Sequence, residues 1–424
     1  MKKKLQFFCT ALMSGLMLVS CGTDTNEDLT DAPYSTLTVE QHKQKIQDEG
    51  LAAMEQMDGM TQLEAVGTMA EFMSYFSMMG QQNDQMDAVA SLLSPVSKLN
   101  ENVLALTVGR RRVETVETLS SKFNEAAGIY TYDPSTETWT RQASTTEITF
   151  NFPIGGSLTN NGKITINHLE VLNSTNSSLN TELPVSLDVV LKKNNTALFT
   201  MSYDAAYTSE GLPSNVETVI SFSEGYKFKE LMKNDGKDAS LDFSITKNDA
   251  VVLKAGVGAN GNLSMGAISD QEIMDGDDLT TAMLDASNAF VQIGNLKLVG
   301  KVNVDDFIAV KSEELNHEYP TSEADMAAYC SRLNGCTKMA LVYANEGKAI
   351  CKASFIPREE WADYEWDNLS QTNDMPTNYE VGLQFLFSDQ SSMDDSFFDE
   401  GFEDLTQAMY QFLQMLQGGV GVPR

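Results

Sequence analysis

The stretch VSLDVVLKKNNTALFTMSY (Val185–Tyr203) decides the fold. Val185, Leu187, Val189 and Leu191 occupy every second position, the period of a strand with one buried face. Lys193-Asn194-Asn195 then turn the chain, and Ala197–Tyr203 run back beside the first strand. A second copy follows 54 residues later: Ser186-Leu187-Asp188 matches Ser240-Leu241-Asp242, Lys193-Asn194 matches Lys247-Asn248, and Val251–Val257 return. Equal placement of the two turns argues for a repeated meander in one large antiparallel sheet.

The same alternation extends in both directions. Upstream, Ile129–Thr140 form a hairpin about Asp133-Pro134-Ser135, Glu147–Phe152 form a strand, and Asn160-Asn161-Gly162 turn into Ile164 and Ile166. Val216–Phe222 supply a strand between the two similar hairpins. Downstream, Leu279, Met283, Ala286, Phe290 and Ile293 share one stripe of a helix over 277–293, expected to lie on one face of the meander, and Leu296, Leu298, Val302 and Val304 alternate as a further strand.

Both ends read differently. From Glu40 to Phe76 apolar residues come at spacings of three and four, as in Val66, Met69, Met73 and Phe76. Met86, Val89 and Leu93, then Ser94-Pro95 opening a helix through Leu99, Val103 and Leu106, complete an antiparallel helical pair across the polar 80–84 turn. Towards the C-terminus, Ser322 and Asp325 form a capping box for a helix ending at Asn334-Gly335. A hairpin turning at Asn345-Glu346-Gly347, a strand over Tyr379–Phe387 and a final helix with Phe402, Leu405, Met409, Phe412 and Leu416 follow. The fold class is therefore α+β: an N-terminal helical hairpin (39–125), a large curved antiparallel meander with a helix packed on one face (126–306), and a small C-terminal α+β region (307–424).

The first residues carry a different message. Lys2-Lys3-Lys4 precede an uncharged apolar run from Leu5 to Val19, too short for a mature membrane span. The run ends in Leu18-Val19-Ser20-Cys21, which resembles a bacterial lipobox. That resemblance implies a signal peptide of residues 1–20, cleavage before Cys21, and acylation of its thiol and new amino group, palmitate included. Two or more acyl chains anchor a soluble body stably to a membrane. Beyond Cys21, Asp24, Glu27, Asp28 and Asp31 form an acidic, Thr-rich tether (21–38), similar to the export signal of Bacteroidetes-type surface lipoproteins. The resemblance implies an outer-membrane lipoprotein exposed at the cell surface.

Charge narrows the function. The chain carries 29 Lys and Arg against 60 Asp and Glu, and loss of Lys2, Lys3 and Lys4 with the signal leaves 26 basic residues. Such a field repels phosphate backbones and anionic headgroups, which argues against nucleic acid as a partner and leaves membrane attachment to the lipid. Walker, dinucleotide-binding, zinc-protease and nucleophile-elbow motifs are missing from the sequence.

Candidate sites are few. Cys330 and Cys336 flank the expected helix end and are read as a disulfide pair, while Cys351 sits in a strand as a core thiol. Arg110, Arg111 and Arg112 are the one basic cluster, suited to a sulfate, phosphate or carboxylate or to the protein's own acids. Trp361, Tyr364 and Trp366 alternate with acids in WADYEWDN, as a sugar-stacking surface would, or as a loop folded over the core. The acids of 270–278 and 394–404 fail the EF-hand spacing, so no metal site is assigned; calcium is the one cofactor left open. The 22 methionines read as core filling.

The function expected from these readings is non-catalytic: a membrane-anchored lipoprotein that binds a lipid, glycan or envelope protein, or serves structurally, at the bacterial envelope. The alternative is a surface glycoside hydrolase using a carboxylate pair. Replacement Cys21→Ala is expected to abolish incorporation of labelled palmitate and to move the protein from the membrane to the soluble fraction. Retention of label in that variant would contradict the assignment.

Overall fold

The computed structural model describes residues 29–79, 119–173, 182–209, 211–262, 284–315, 322–360 and 378–394, together with positions 397, 402, 404, 405 and 407. Contacts divide these into two compact units. One holds the residues up to Glu55, Leu253–Gly261 and those from 284 onward; the other holds Gln56–Val252 and Asn262. Both are built on open, mostly antiparallel sheet.

The described chain opens on a 3-10 turn at Leu29–Asp31 and on Tyr34, which bridges to Ala349, so the last part of the tether expected over 21–38 is packed on the fold, with Thr30, Ala32 and Ser35 buried. Two helices follow: α1 (Val39–Asp58) and α2 (Glu64–Met79), separated by a 3-10 turn at Gly59–Gln62 and an extended Leu63. A capping box starts α1: Thr38 Oγ1 accepts from the Gln41 N–H at 3.3 Å, and Gln41 Oε1 accepts from the Thr38 N–H at 2.9 Å. The single helical run expected over 40–76 is therefore two helices, and the boundary between the units falls at Glu55/Gln56 inside the expected helical module. The apolar stripe of α1 is buried in the unit that holds residues up to Glu55, and that of α2 in the unit that begins at Gln56. The expected partner helices over 86–106 lie outside the described residues.

In the unit that begins at Gln56, the strands are β1 (Gly128–Asp133), β2 (Thr138–Ala143), β3 (Glu147–Phe152), β4 (Gly162–Asn173), β5 (Glu182–Lys193), β6 (Thr196–Tyr207), β7 (Pro213–Phe222), β8 (Tyr226–Asn234) and β9 (Asp238–Lys247). Their spatial order is β2-β1-β3-β4-β5-β6-β7-β8-β9, and only β1 and β3 pair in parallel. The hairpins run as the alternation implies. Asn194 and Asn195 lie at φ of 50° and 65°, and Asn248 and Asp249 at 50° and 68°, the left-handed pair that a tight hairpin demands. Each tip is also tied to a neighbouring turn, the Asn194 N–H donating to Asn161 O at 2.7 Å and the Asn248 N–H to Gly225 O at 2.9 Å. Gly225 must be glycine there: φ is +87°, and a Cβ would stand 2.1 Å from Asn248 Oδ1. β8 was hidden in the sequence because Lys227, Lys229 and Lys233 mask the alternation of Phe228 and Met232.

One face of these strands is apolar and is covered by α2 and by a short helix, α3 (Leu119–Ala126). Phe72 of α2 is 2% exposed, with its ring 5.4 Å from that of Phe150 and 5.1 Å from that of Phe152. Tyr75 lies 4.7 Å from the Tyr132 ring, and the Trp139 indole N–H donates to Tyr75 O. Aromatic pairs at these separations add about 1 kcal/mol each to the area they bury.

The other unit carries β10 (Ala250–Gly261) from Leu253 on, β11 (Leu284–Ile293), β12 (Leu296–Asn303), β13 (Thr337–Tyr343), β14 (Lys348–Glu360), β15 (Asn378–Leu386) and β16 (Ser392–Met393), each antiparallel to the next. β11 corrects the helix expected over 277–293: Leu284–Ile293 is a strand, hydrogen-bonded to β10 and β12 on its two edges. Ala289-Phe290-Val291-Gln292-Ile293 is too apolar for its period to decide between helix and strand, and Gly294 (φ +56°) makes the turn into β12. The cover on this sheet is instead α1, whose Ile46 packs with Tyr343, Ile350, Cys351, Phe385 and Phe387. Between β12 and β13 stand α4 (Val304–Leu315) and α5 (Glu323–Cys336), so Val304 opens a helix rather than extending a strand. Ser322 caps α5 as expected, Oγ accepting from the Asp325 N–H at 3.2 Å.

The turn geometry yields a test on the exposed Asn195. Asn195→Val should lose about 1–2 kcal/mol of unfolding free energy, because a β-branched residue resists the left-handed region, whereas Asn195→Gly should be neutral or better. Chemical denaturation of the two variants distinguishes these outcomes, and equal stabilities would show that the turn is not left-handed.

Candidate polar cleft beside helix α3

A cleft of about 570 Å³ opens where α3 passes the start of β3 and the middle of β4. Ser120, Phe123 and Asn124 line it from the helix, Thr145 and Thr146 from the link between β2 and β3, Glu147 from the start of β3, and Asn167 and Leu169 from β4. The sequence builds it in three steps. Glu182 Oε2 accepts from the Ser120 N–H at 2.7 Å and satisfies a donor in the first turn of α3. Phe123 at 8% exposure and the fully buried Ala126 fix that helix to the core. On the far wall Glu147 stands opposite Asn167, and β4 then shifts register against β5 between Asn167 and Glu170. A bulge of this kind interrupts pairing and re-aims side chains next to a site.

The lining is chemically uniform. Three hydroxyls and two side-chain amides surround one carboxylate, and Phe123 and Leu169 supply the apolar part. Glu147 Oε2 accepts from Thr149 Oγ1 at 2.8 Å, so the carboxylate is held in place by a buried threonine. Hydroxyls and amides both donate and accept, which suits a ligand with many hydroxyls of its own. Acyl chains need a dry apolar pocket, and this lining is too polar for one. Glycoside cleavage uses two carboxyls about 5 to 10 Å apart; among the described residues Glu147 is the one carboxylate that lines the cleft, while Glu182 is engaged by the Ser120 N–H.

Among the residues singled out from the sequence, Cys21, Arg110, Arg111, Arg112, Trp361, Tyr364 and Trp366 lie outside the described residues. Cys330 and Cys336 do not form the expected bridge: both are buried free thiols, as is Cys351. The reason is helical geometry. Asn334-Gly335 does not stop α5, which continues to Cys336, and residues six apart in a helix are separated by roughly 9 Å at Cα, beyond disulfide reach. Cys336 Sγ donates to Leu333 O at 3.2 Å instead, and burial pushes both thiols up from their ordinary pKa. Among the described residues, no group of three or more His, Cys, Asp or Glu is placed to hold a metal ion, and no helix is long and apolar enough to cross a membrane.

The cleft residues carried no motif in the sequence, since scattered Ser, Thr and Asn look like any strand edge or loop. Of them, Glu147 alone has a local sign, as the start of an alternating strand. No protein-family model, curated protein or solved structure matches this chain.

Proposed function

We propose that this chain is a lipid-anchored binding protein of the bacterial outer envelope that captures an uncharged, hydroxyl-rich ligand, a glycan, in the cleft beside α3. The observation that carries the reading is the lining itself: Ser120, Thr145, Thr146, Asn124 and Asn167 around a single carboxylate. Hydroxyl and amide groups exchange water for sugar hydroxyls at little cost, and a few such bonds give the modest affinity typical of glycan capture. The lipobox-like Leu18–Cys21 and the acidic tether after it support attachment at the outer membrane with the body facing outward. The binding reading stands ahead of hydrolysis because, among the described residues, Glu147 is the one carboxylate that lines the cleft, and one carboxylate cannot serve as both acid and nucleophile.

The test is calorimetric titration of the detergent-solubilised protein against neutral and acidic oligosaccharides. A neutral oligosaccharide should bind with an affinity little changed between 0.05 and 0.5 M salt, since uncharged contacts are not screened. Asn167→Ala should weaken it about fivefold, the worth of one hydrogen bond near 1 kcal/mol. Affinity that survives both Asn167→Ala and Asn124→Ala, or that collapses with salt, would contradict the proposal.

A further inference from the structure

We propose that His42 is an acid-operated latch, whose protonation releases α1 from the sheet it covers. The geometry is that of a histidine stored in a place that tolerates only its neutral form. Its residue is 1% exposed on the inner face of α1, and Nδ1 lies 2.9 Å from the hydroxyl of Tyr343, itself fully buried on β13. The two rings stack with centroids 5.7 Å apart, and the Phe387 ring lies 6.4 Å away on the same side of the sheet. Nε2 is buried and has no hydrogen-bond partner. Whichever neutral tautomer is present, that nitrogen is unpaired. A second proton makes both ring nitrogens donors, and a charge then sits among aromatic rings with one donor unanswered. The chain relieves this by opening the contact.

The neighbouring charges do not rescue the imidazolium. Lys45 of α1 and Glu346 of the β13–β14 turn form an ion pair, with Lys45 Nζ 3.9 Å from the centre of the Tyr343 ring. Burial pushes the His42 pKa below its ordinary value, Lys45 adds to that, and Glu346 opposes it. Glu49 on α1 and the Cys351 thiol on β14 act on the Tyr343 hydroxyl, whose own pKa burial drives upward, and Lys43 Nζ rests 5.1 Å from the Phe397 ring centre. Because the folded pKa is depressed, the stabilising contribution of neutral His42 is complete above about pH 6.5 and is lost as pH falls below it, while the unfolded side chain takes up a proton that the folded one refuses. The opening equilibrium should then rise as pH falls from 7.5 to 5.5, by at most about tenfold, the limit set by protonation of the unfolded imidazole.

Cys351 reports the opening, since it is 1% exposed and packs in one cluster with Ile46 of α1. The detergent-solubilised full chain is labelled with 4,4′-dithiodipyridine at both pH values. Peptide mass spectrometry assigns the label to Cys351, and each rate is divided by that of the urea-unfolded chain at the same pH. The native chain should show this rise, and His42→Phe, which keeps an aromatic ring but no titrating group, should show none. His42→Gln, with an uncharged polar side chain, should be equally flat and serves where the phenylalanine variant does not fold. A flat response in the native chain, or the same rise in the variants, would overturn the proposal.

Discussion

One constraint shapes both units: a strand that alternates apolar and polar residues has an oily face that must be covered, and an open meander cannot cover itself. Each unit meets it with a helix from the N-terminal part of the chain. Phe72 of α2 is pressed onto Phe150 and Phe152, and Ile46 of α1 sits over Tyr343 and Ile350. Hairpin turns, bulges and caps set the register, but the helices decide which face is the inside. The cleft follows from the same arrangement, because α3 leaves room beside the β4 bulge where the cover ends.

Much of the sheet was legible because its signals are local. Alternation over Val185–Leu191 and a turn rich in asparagine specify a hairpin within twenty residues, and the left-handed values at Asn194, Asn195, Asn248 and Asp249 are what those residue types tolerate. The capping box at Ser322 was readable for the same reason. A matching signal, Thr38 with Gln41, marks the start of α1.

The failures share a physical cause: the answer depended on partners far away in sequence. Ala286, Phe290 and Ile293 fit a helical stripe as well as a strand, and the choice was made by hydrogen bonds to β10 and β12. Asn334-Gly335 looks like a helix stop, yet α5 runs through it. Asn334 spends its side chain on β14, accepting from the Phe355 N–H at 2.7 Å and donating to Phe355 O at 2.8 Å. With the helix unbroken, Cys330 and Cys336 stand six residues apart along it, beyond disulfide reach. The cleft was illegible for a further reason, since neutral hydroxyls and amides gain meaning only when the fold gathers them. Buried His42 shows the same dependence from the other side: nothing local marks it, and only the approach of Tyr343 makes it a group that acid disturbs.

The central claim, that the N-terminal helices are the cover on which the sheet depends, is tested most directly by the denaturation free energies of Phe72→Ala and Met73→Ala, neighbours on α2. Phe72 is 2% exposed and Met73 is 51% exposed, so chain position is held constant while burial changes. Phe72→Ala should cost about 3–5 kcal/mol and Met73→Ala less than about 0.5 kcal/mol. Two small and equal losses would mean that α2 is an ornament on a sheet stable without it.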